Sequence, residues 1–515
     1  MGGVKELSLS EVAKHNKEDD MWIVIDGGVY DVTSFSNFHP GSKGVLVRVA
    51  GTDCTDEFYG LHKQAVLDKY RSKLLVGVIP GSLEAKRDPN ALPQFAEYSK
   101  VPFAEWESAF HNESHKKFRM AVRKIVSDLI MPEVELLEIS NKPPSAELIA
   151  KIGKTGLIAC SLGVGKHLEY VDSLPGGLKP SEFDWHHACI VSEEMKRIGS
   201  TGVIDGFSGG TVIGTPPVIN FGSQELIDTV VKPVVRGEKR IALAITDPYA
   251  GSDVANTTCT AELSADGSYY TVNGLKKWIT TGMPADFFST AVRTGKELHG
   301  GISMLLIPRG EGVETKAIRT SYTSAAGTAL VIFDNVKVPA KNILGKVNGG
   351  FQVIMSNFNQ ERFMMAVGGN RHNRLVIEDC FKWAVQRKVF GKPLINQPQI
   401  QERLATMIGQ CNAVSAWIDV VTEQMNTMSH HDVAVKLAGT ISMLKNQQVA
   451  ASRIIVDCAL QIMGGRGLTK TGMGRNVENL QRTFEFGGVL GGATSVLATQ
   501  AIRHTLKGYP ADARL

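Results

Sequence analysis

The sequence is short of cysteine, of surplus charge and of long apolar runs. Its seven cysteines are an odd number, lie far apart and form no Cys-x-x-Cys pair. A disulfide framework is therefore not expected, and the thiols are predicted to be buried and reduced. The 56 basic and 52 acidic residues leave a net charge of only +4, which speaks against a nucleic-acid or membrane-surface partner. No uninterrupted apolar run reaches the roughly 18–20 residues that a bilayer span needs.

What is present is enough material for several domains. At 515 residues, with 43% hydrophobic and 21% charged residues, the chain has a globular composition and the length of two to four domains. Residues 1–80 carry nine basic and eleven acidic residues, a net charge of −2, so the remaining 47 basic and 41 acidic residues give +6. We predict a small domain at 5–80 and a polar, proline-bearing linker at 81–101.

The rest of the chain alternates between helical and β patterns. Residues 102–239 are mostly helical in pattern. Residues 240–346 contain segments such as IALAIT, YYTVNG and ALVIFDNVKVP, which are typical of strands separated by turns. From 349 to 510 helical periodicity returns. One predicted helical face consists of Val376, Cys380, Ala384 and Arg387.

The small domain combines a hairpin signal with two histidines. Residues 22–31, WIVIDGGVYD, alternate around an Asp-Gly-Gly turn. His39 precedes a Pro-Gly turn, and His62 follows 23 residues later at a second helical corner. Two such corners with inward-pointing imidazoles could clamp a planar macrocycle. Either histidine alone would indicate only a surface or capping residue.

The whole string resembles the cytochrome b5 domain over residues 6–80, from the Trp22-Ile-Val-Ile opening to the second histidine after a phenylalanine. The resemblance implies a small α+β domain that holds the iron of a b-type haem between His39 and His62. With both axial positions filled, such a haem carries single electrons. Ser42 stands where the family has a second glycine, and if that position needs a positive φ, serine costs some strain.

The predicted β-domain opens with small and hydroxyl-bearing residues, Ala244-Ile-Thr-Asp-Pro-Tyr-Ala-Gly-Ser-Asp253, which suit close backbone approach to a phosphate-bearing ligand. This string resembles the Thr-Glu-Pro-x-Ala-Gly-Ser-Asp signature of acyl-CoA dehydrogenases, and the resemblance covers about residues 103–510. Two departures are Asp247 for the usual glutamate and Pro398 where many members have glutamine. Three further motifs follow in the family's order: Asn273-Gly274-Leu-Lys-Lys-Trp278-Ile-Thr280, Gln386-Arg387-Lys-Val-Phe390-Gly391-Lys392 and Gln461-Ile-Met-Gly464-Gly465-Arg-Gly467.

The resemblance implies the acyl-CoA dehydrogenase fold: an N-terminal α-helical domain, a central β-domain and a C-terminal four-helix-bundle domain, which together bind FAD. Thr246, Trp278 and Thr280 would line the isoalloxazine. Ser252 would lie between the flavin and the acyl-CoA. In this family the next subunit completes the FAD site, so a homodimer or homotetramer is expected. The residues expected to come from that neighbour are Arg387, Phe390, Gln461 and Gly465.

The family's chemistry removes an α-proton from an acyl-CoA while a β-hydride passes to the flavin, and it needs a partly desolvated carboxylate as base. Many members carry that glutamate in a C-terminal segment where this chain has Gly491. Branched- and long-chain-type members use an earlier Glu-Arg pair, which Glu361-Arg362 matches. Since apolar residues flank Glu361, we predict that it is the catalytic base rather than part of a surface ion pair. Gly491 would offer its N–H to the thioester oxygen, and Arg362 is predicted to bind substrate.

A metal site is not expected at the histidine pair in the first helical region. His186 and His187 are adjacent, so their side chains point in different directions on a helix. Metal ligands on one helix need a spacing that brings them to one face. The haem ligands are therefore the only metal-binding residues that we predict.

The sequence thus predicts an FAD-dependent acyl-CoA dehydrogenase of fatty-acid β-oxidation that passes electrons to its own haem, with oxygen or another redox protein as alternative acceptors. Two other functions stay open. One is an oxidase of the same fold that makes peroxide from an acyl-CoA or a nitroalkane. The other is a non-catalytic member that binds acyl-CoA or nucleic acid, although the near-neutral charge disfavours nucleic acid.

The chain ends suggest a location. Ala513-Arg514-Leu515 has the small–basic–leucine order of a peroxisomal address. The N-terminus lacks both the apolar core of a secretory signal and the arginines of a mitochondrial presequence. We expect a peroxisomal protein, otherwise a cytoplasmic one. An acceptor within the chain suits a dehydrogenase in a compartment without the mitochondrial flavoprotein acceptor.

Overall fold

The computed structural model describes residues 5–62, 64–80, 109–140, 142–296 and 298–513. The predicted linker at 81–101 therefore lies outside the described residues, as do the last two residues of the C-terminal tripeptide. Within the described ranges the elements follow the predicted order of a small mixed domain, a helical region, a β-region and a second helical region.

The residues up to 80 form a four-stranded sheet, in the order β1-β2-β3-β4, with four short helices. Strands β2 and β3 make the predicted hairpin, and its turn residues Asp26 and Gly27 have φ values of 49° and 68°, as a type I′ turn requires. The strands are β1 (Asn16–Lys17), β2 (Asp20–Ile25), β3 (Gly28–Asp31) and β4 (Leu75–Val78). The helices are α1 (Leu9–Val12), α2 (Lys43–Val49), α3 (Thr55–Tyr59) and α4 (Gln64–Leu74).

The first helical region is built on two long helices, α5 and α9, which pack against each other. Its apolar positions, such as Phe118, Val122 and Ile190, form one core that continues into the β-region. The helices are α5 (Glu113–Ile125), α6 (Met131–Ser140), α7 (Ala146–Gly153), α8 (Leu157–Ser161), α9 (Trp185–Lys196), α10 (Thr201–Ile204), α11 (Gly210–Gly214), α12 (Pro216–Phe221), α13 (Gln224–Leu226) and α14 (Lys232–Val235).

The β-region is one eight-stranded sheet, mostly antiparallel, in which β5 lies parallel to β8. Strand β9, the segment ISMLLIP, is buried along almost its whole length because it lies between β8 and β12. The strands are β5 (Ile241–Ala244), β6 (Thr260–Leu263), β7 (Tyr269–Ile279), β8 (Phe287–Arg293), β9 (Ile302–Pro308), β10 (Val313–Ala317), β11 (Ala329–Pro339) and β12 (Ile343–Leu344).

The second helical region is a bundle around the long helix α15, which also packs on α9 and so joins the two helical regions. Pro398 is the first residue of α16. This position suits proline, which has no N–H, because a backbone N–H there would have no partner within the helix. The helices are α15 (Gly350–Gln386), α16 (Pro398–Thr427), α17 (His430–Lys436), α18 (Ala438–Met463), α19 (Arg475–Val489) and α20 (Thr494–Lys507). A two-stranded ribbon, β13 (Lys388–Val389) and β14 (Lys392–Pro393), follows α15.

Two sequence predictions can be compared with the helices of this bundle. Val376, Cys380 and Ala384 are buried as predicted, but Arg387 was wrongly placed on their helix, because α15 ends at Gln386 and Arg387 is exposed. Among the described residues, α16 is the one helix long and apolar enough to cross a membrane by length and composition alone. Its Leu404 lies in the core between α15 and α18, which is the ordinary place for an apolar helix of a bundle.

All seven cysteines are buried and none forms a disulfide, as the sequence predicts. Cys380, Cys411 and Cys458 lie in one core cluster of the bundle. Burial raises the pKa of the Cys54 thiol to about 12, which leaves the thiol protonated at neutral pH.

Candidate active site

A cavity of about 230 Å³ lies where the two helical regions meet the β-region. Residues of α9, α10, α15, α18 and α19 line it, together with Thr280 just after strand β7. Its middle is apolar, with Met364 and Met365 of α15 and Leu480 of α19 on the wall. The cavity brings the predicted base Glu361 and the predicted flavin contact Thr280 to one space.

Glu361 has the environment that a general base needs. It lies on α15 at the cavity, and its Oε2 is buried with no hydrogen-bond partner among the described residues. Burial raises the pKa of its carboxyl to about 7, although Arg362 and Lys445 act in the opposite direction. A surface ion pair, the alternative interpretation, would instead lower the pKa of the carboxyl.

Three hydrogen bonds hold the loop that carries Gly491 beside this carboxylate. Arg362 Nε donates to the Gly491 carbonyl at 2.7 Å. Lys445 Nζ donates to the carbonyls of Leu490 and Gly492 at 2.6 and 2.7 Å. The N–H of Gly491 makes no hydrogen bond to a described residue, and it is free to meet a ligand.

Gly491 also shows where the usual glutamate would have been. Its φ is +65°, and a Cβ built on it would lie 3.5 Å from Glu361 Oε1 and 3.2 Å from Met365 Sδ. The two alternative base positions of the family are therefore neighbours in space. In the structure Arg362 holds the loop that carries Gly491. Its contact with substrate stays a prediction.

Lys445 supports the candidate site through the Gly491 loop, and sequence reasoning missed it. It is fully buried on α18 among apolar neighbours, yet its ammonium is satisfied by two loop carbonyls. Burial lowers its pKa to about 8, while Glu361 raises it. A lysine inside the apolar run ISMLKNQQVAA was the available signal, because a buried lysine needs partners.

The loop of small residues at 246–253 is anchored by Asp247, which is 3% exposed. Its carboxylate accepts from the backbone N–H of Ala250 at 2.8 Å and of Thr258 at 2.7 Å, and from the Thr257 hydroxyl at 2.8 Å. Burial alone would raise its pKa, but these hydrogen bonds and nearby Lys276 keep the pKa below the usual value. The aspartate, which is one methylene shorter than the glutamate usual at this position, thus holds the two ends of the loop together.

The remaining predicted flavin contacts of this region lie at the end of strand β7. Thr246 accepts a backbone hydrogen bond from Lys277 at 2.9 Å, which places the loop beside Trp278. Trp278 is 50% exposed and has a φ of +64°, an unusual conformation for a bulky residue. Ser252 is exposed. A half-exposed aromatic ring held in such backbone suits a flat ligand better than core packing.

The other four predicted FAD residues form a separate patch at the end of the bundle. Arg387 and Arg466 both lie on the Trp383 ring, at 5.8 and 4.3 Å from its centroid, and so bring the two motifs together. Phe390 is 96% exposed, with a φ of +50°. Gln461 and Gly465 are exposed as well. None of the four lines the cavity with Glu361, as expected if they serve a neighbouring subunit.

His39 and His62 face each other in the small domain. Their ring centroids are 5.9 Å apart, close to two metal–nitrogen bonds of about 2 Å plus the distance from each nitrogen to its ring centre. The Nδ1 of His39 donates to the Ser42 carbonyl at 3.3 Å, and that of His62 to the Phe58 carbonyl at 3.2 Å. These bonds engage both Nδ1 atoms and leave both Nε2 atoms to bind a metal, so the residues fit a haem.

A second histidine cluster was not predicted. His186 lies 3.3 Å from Glu423, so the adjacent pair diverges as expected, but His187 meets His115 and Asp184. Their ligand atoms lie within 4.8 Å of one another. Asp184 caps helix α9, and its carboxylate lies 3.1 Å from His115 Nε2 and 2.8 Å from His187 Nδ1. The cluster is accounted for as a helix cap that joins α5 to α9.

Comparison with protein-family profiles matches nearly the whole described chain. The three parts described as acyl-CoA dehydrogenase N-terminal, middle and C-terminal domains match residues 112–238, 242–336 and 348–506. A cytochrome b5-like heme/steroid binding domain matches residues 8–80.

Individual relatives agree with the profiles. The acyl-CoA dehydrogenase apdG of Emericella nidulans is 34% identical over 431 residues, which cover 81% of this chain and 98% of the relative. The structure of an acyl-CoA dehydrogenase from Geobacillus kaustophilus is 27% identical, with a TM-score of 0.67 over 77% of this chain and 99% of the other. A Bacillus anthracis acyl-CoA dehydrogenase complexed with FAD shares the fold at 24% identity, with a TM-score of 0.67 over 81% of this chain and 71% of the other. The chain therefore belongs to the acyl-CoA dehydrogenase family, oxidoreductases acting on CH–CH bonds, and carries a cytochrome b5-like domain ahead of the dehydrogenase domains.

Proposed function

We propose that the protein introduces an α,β double bond into an acyl-CoA with the help of FAD and passes the two electrons one at a time to its own haem domain, which gives each in turn to another redox protein. The observation that carries the proposal is the buried carboxylate of Glu361, whose pKa is raised to about 7, on the wall of a largely apolar cavity. A carboxylate with this pKa is basic enough to take an α-proton and is half ionised at neutral pH.

In this proposal Glu361 Oε2 takes the α-proton, since that atom has no other partner among the described residues. The thioester oxygen, where negative charge develops, accepts a hydrogen bond from the N–H of Gly491. Arg362 and Lys445 hold that loop in place before substrate binds, so the reaction loses no conformational entropy in ordering it. The apolar cavity excludes water and keeps the base desolvated.

Bound FAD would supply the acceptor for the β-hydride. Thr246, Trp278 and Thr280 are proposed to hold its ring, with Ser252 on the substrate side. The exposed patch at the end of the bundle is proposed to complete the FAD site of a neighbouring subunit in a homodimer or homotetramer. A 96% exposed phenylalanine at positive φ supports this, because such a side chain is costly without a partner.

Haem held by His39 and His62 would supply a one-electron acceptor. Contacts between the small domain and the bundle support transfer within the chain. Gln386 Nε2 donates to the Tyr59 carbonyl at 3.0 Å, and Lys388 pairs with Asp56. These contacts involve helix α3, which ends three residues before His62.

Anaerobic stopped-flow spectroscopy of the purified holoenzyme tests the proposal. With a saturated acyl-CoA, the flavin absorbance should fall first and the haem α-band should then rise at a rate independent of protein concentration. Haem that stays oxidised while the flavin bleaches would refute transfer to the haem. Peroxide formed in stoichiometric amounts in air would favour the oxidase instead, and a flavin that no acyl-CoA bleaches would favour a non-catalytic binding protein.

Peroxisomal location is a separate proposal that rests on Ala513-Arg514-Leu515. A fluorescent protein fused ahead of the full chain should enter peroxisomes when the tripeptide is intact. Deletion of the last three residues should leave the fusion in the cytosol. Peroxisomal import of the truncated fusion would remove the tripeptide as the address.

A further inference from the structure

The active-site cavity changes character along helix α15. From Glu361 to His372 is eleven residues, which at 1.5 Å of rise per residue is about 16 Å. Apolar side chains line the stretch between them. Polar and charged side chains from three helices line the far end: Ser192 and Lys196 of α9, His372 of α15, and Gln448 and Ser452 of α18.

Lys196 is the charged group of this far end. Its ammonium makes no hydrogen bond and no ion pair with any described residue. Asp205 also lines the cavity, but it accepts from the Tyr322 hydroxyl and does not pair directly with Lys196. Burial lowers the pKa of Lys196 to about 8, with Asp205 opposing, so the ammonium is still mostly charged at neutral pH.

Two consecutive glycines in the interior of α15 make room for the polar groups. A Cβ on Gly368 would lie 2.9 Å from Lys196 Cε and 3.1 Å from Ser192 Oγ. A Cβ on Gly369 would lie 2.4 Å from the Gln448 side-chain amide. Glycine destabilises a helix interior relative to alanine, so a pair at this place indicates that close approach of these side chains is needed.

A second polar atom at the far end, His372 Nε2, also lacks a hydrogen-bond partner among the described residues. His372 is 2% exposed. Burial lowers the pKa of its ring to about 3, so the ring is neutral and can donate or accept one hydrogen bond. Gln448, by contrast, donates to Ser452 at 2.7 Å, which donates to Asn373 at 2.8 Å.

An unsubstituted alkyl tail in the cavity would cover the Lys196 ammonium and His372 Nε2 without giving either a partner, which is costly for a charge above all. We propose that the far end is a subsite for an oxygen-bearing group, a carboxylate or a ketone, carried by the acyl chain about 10–16 Å from the thioester end, the span along α15 from Gly368 to His372. Lys196 donates to that oxygen, and His372, farther along α15 in the same cavity lining, offers its unpartnered Nε2 for a second hydrogen bond. This inference rests on the proposed acyl-CoA dehydrogenase function and names its substrate class.

The test compares three series of acyl-CoA thioesters of graded length with the FAD-loaded full chain: unsubstituted, ω-carboxy and ω-oxo. Anaerobic flavin bleaching gives the rate, and steady-state turnover gives kcat/KM. At the length that spans the cavity, the oxygenated series should exceed the unsubstituted one by tenfold or more. Whether the carboxy or the oxo series leads identifies the group.

Lys196→Met then tests the residue. This variant should lower kcat/KM for the oxygenated substrate tenfold or more while leaving that for the unsubstituted one equal or higher. Lys151→Met is the matched control, because Lys151 is exposed on α7 and does not line the cavity. It should change kcat/KM for neither substrate. If Lys196→Met fails to fold, the substrate comparison with the unaltered protein still decides the matter.

The outcomes distinguish failure of the subsite from failure of the dehydrogenase function. Equal or better turnover of unsubstituted acyl-CoA at every length overturns the subsite and leaves the dehydrogenase function intact. Unchanged substrate preference in Lys196→Met overturns the role of that lysine. A flavin that none of the three series reduces overturns the dehydrogenase function and the subsite with it.

Discussion

Glu361 illustrates how burial decides the chemistry of a single side chain. A glutamate followed by arginine on a helix could have formed an ordinary ion pair, but Arg362 Nε is engaged with the Gly491 carbonyl at 2.7 Å. The carboxylate is left with an unpartnered oxygen and a pKa of about 7. Arg362 lowers the pKa of this carboxyl by its charge, but because its Nε holds the Gly491 loop, burial outweighs that effect.

Glu361→Gln should lower kcat for acyl-CoA oxidation by about 10²–10⁴, because the amide cannot accept the α-proton. Binding of acyl-CoA should persist, since the variant is nearly isosteric. Anaerobic flavin bleaching measures the first effect and a spectral titration the second. Glu485→Gln is the matched control, because Glu485 is exposed and pairs with Arg453. Full activity of Glu361→Gln would remove the base assignment.

The same carboxyl predicts two pH dependences. Only the ionised form takes a proton, so kcat/KM should rise with pH up to about 7 and level off above it. The folded pKa lies above the ordinary 4.5, so the unfolded state ionises first, and the free energy of unfolding falls as pH rises from about 4.5 to about 7 and is level above 7. The loss is about 3 kcal/mol at 1.36 kcal/mol per pKa unit. Glu361→Gln should therefore be more stable than the parent at pH 8 and equal to it near pH 4, by thermal unfolding.

Ser42 has a strained backbone conformation that is expected to lower the stability of the small domain. Its φ and ψ of 77° and 157° lie in a region that favours glycine, the residue that the cytochrome b5 domain has at this position. Ser42→Gly should stabilise the small domain by about 1 kcal/mol, visible as a higher midpoint of thermal haem loss in the full chain. Ser42→Ala keeps a Cβ and should give no gain. An equal gain from alanine would show that the hydroxyl, not the backbone, is at fault.

At the scale of elements, a buried ionic network joins α5 to α9. The Glu194 side chain is fully buried, and Arg119 and Arg123 donate to it at 3.1 and 3.0 Å. Burial would raise the pKa of Glu194, but the arginines outweigh burial and lower it. The network fixes the helix whose other face carries Lys196 and lines the cavity.

Glu194→Gln should cost about 3–5 kcal/mol of unfolding free energy, because it leaves buried arginine charge uncompensated. Chemical denaturation at neutral pH measures the loss. Glu113→Gln breaks the exposed pair with Lys116 and should change stability by no more than about 0.5 kcal/mol. Equal effects of the two substitutions would mean that the buried network contributes no more than a surface pair.

At the scale of the whole molecule, the small domain contacts the bundle beside the segment that carries Phe390. Lys388 pairs with Asp56, and Arg466 donates to the Gly60 carbonyl at 3.2 Å. The small domain is net acidic and the remainder net basic, a sign pattern that favours docking. The exposed lysine–aspartate pair offers a way to weaken docking without touching the cavity.

Lys388→Glu should slow haem reduction up to about fivefold at low salt, and Asp56→Lys added to it should restore the rate. Flavin bleaching by acyl-CoA should be unaffected and serves as the internal control. The difference should shrink at high salt, since exposed charges are screened. A haem reduction rate that is the same in the single variant and the parent would exclude this pair from docking.

Much of this architecture was predictable because local signals agree with the fold. The Asp26-Gly27 turn, the apolar run of β9 and the periodicity of α15 each specify their element without distant partners. The motif residues Thr280 and Glu361 were also identifiable from sequence. Arg387 was misplaced because periodicity alone does not show where a helix stops. Lys445 and Asp247 were missed in their roles because both act through backbone groups that only folding brings near.

The sequence by itself determined the element types, the order of the domains and the residues that can do chemistry, since periodicity, turn residues and motifs are local properties of the chain. The tertiary structure decided which of these residues share a space. Glu361 and Gly491 are 130 positions apart in sequence yet neighbours at one cavity, and Lys196, His372 and Gln448 meet at its far end. Burial and its effect on pKa arise only when distant helices pack, so neither the strength of the base nor the polarity of the acyl subsite could be read from the chain alone.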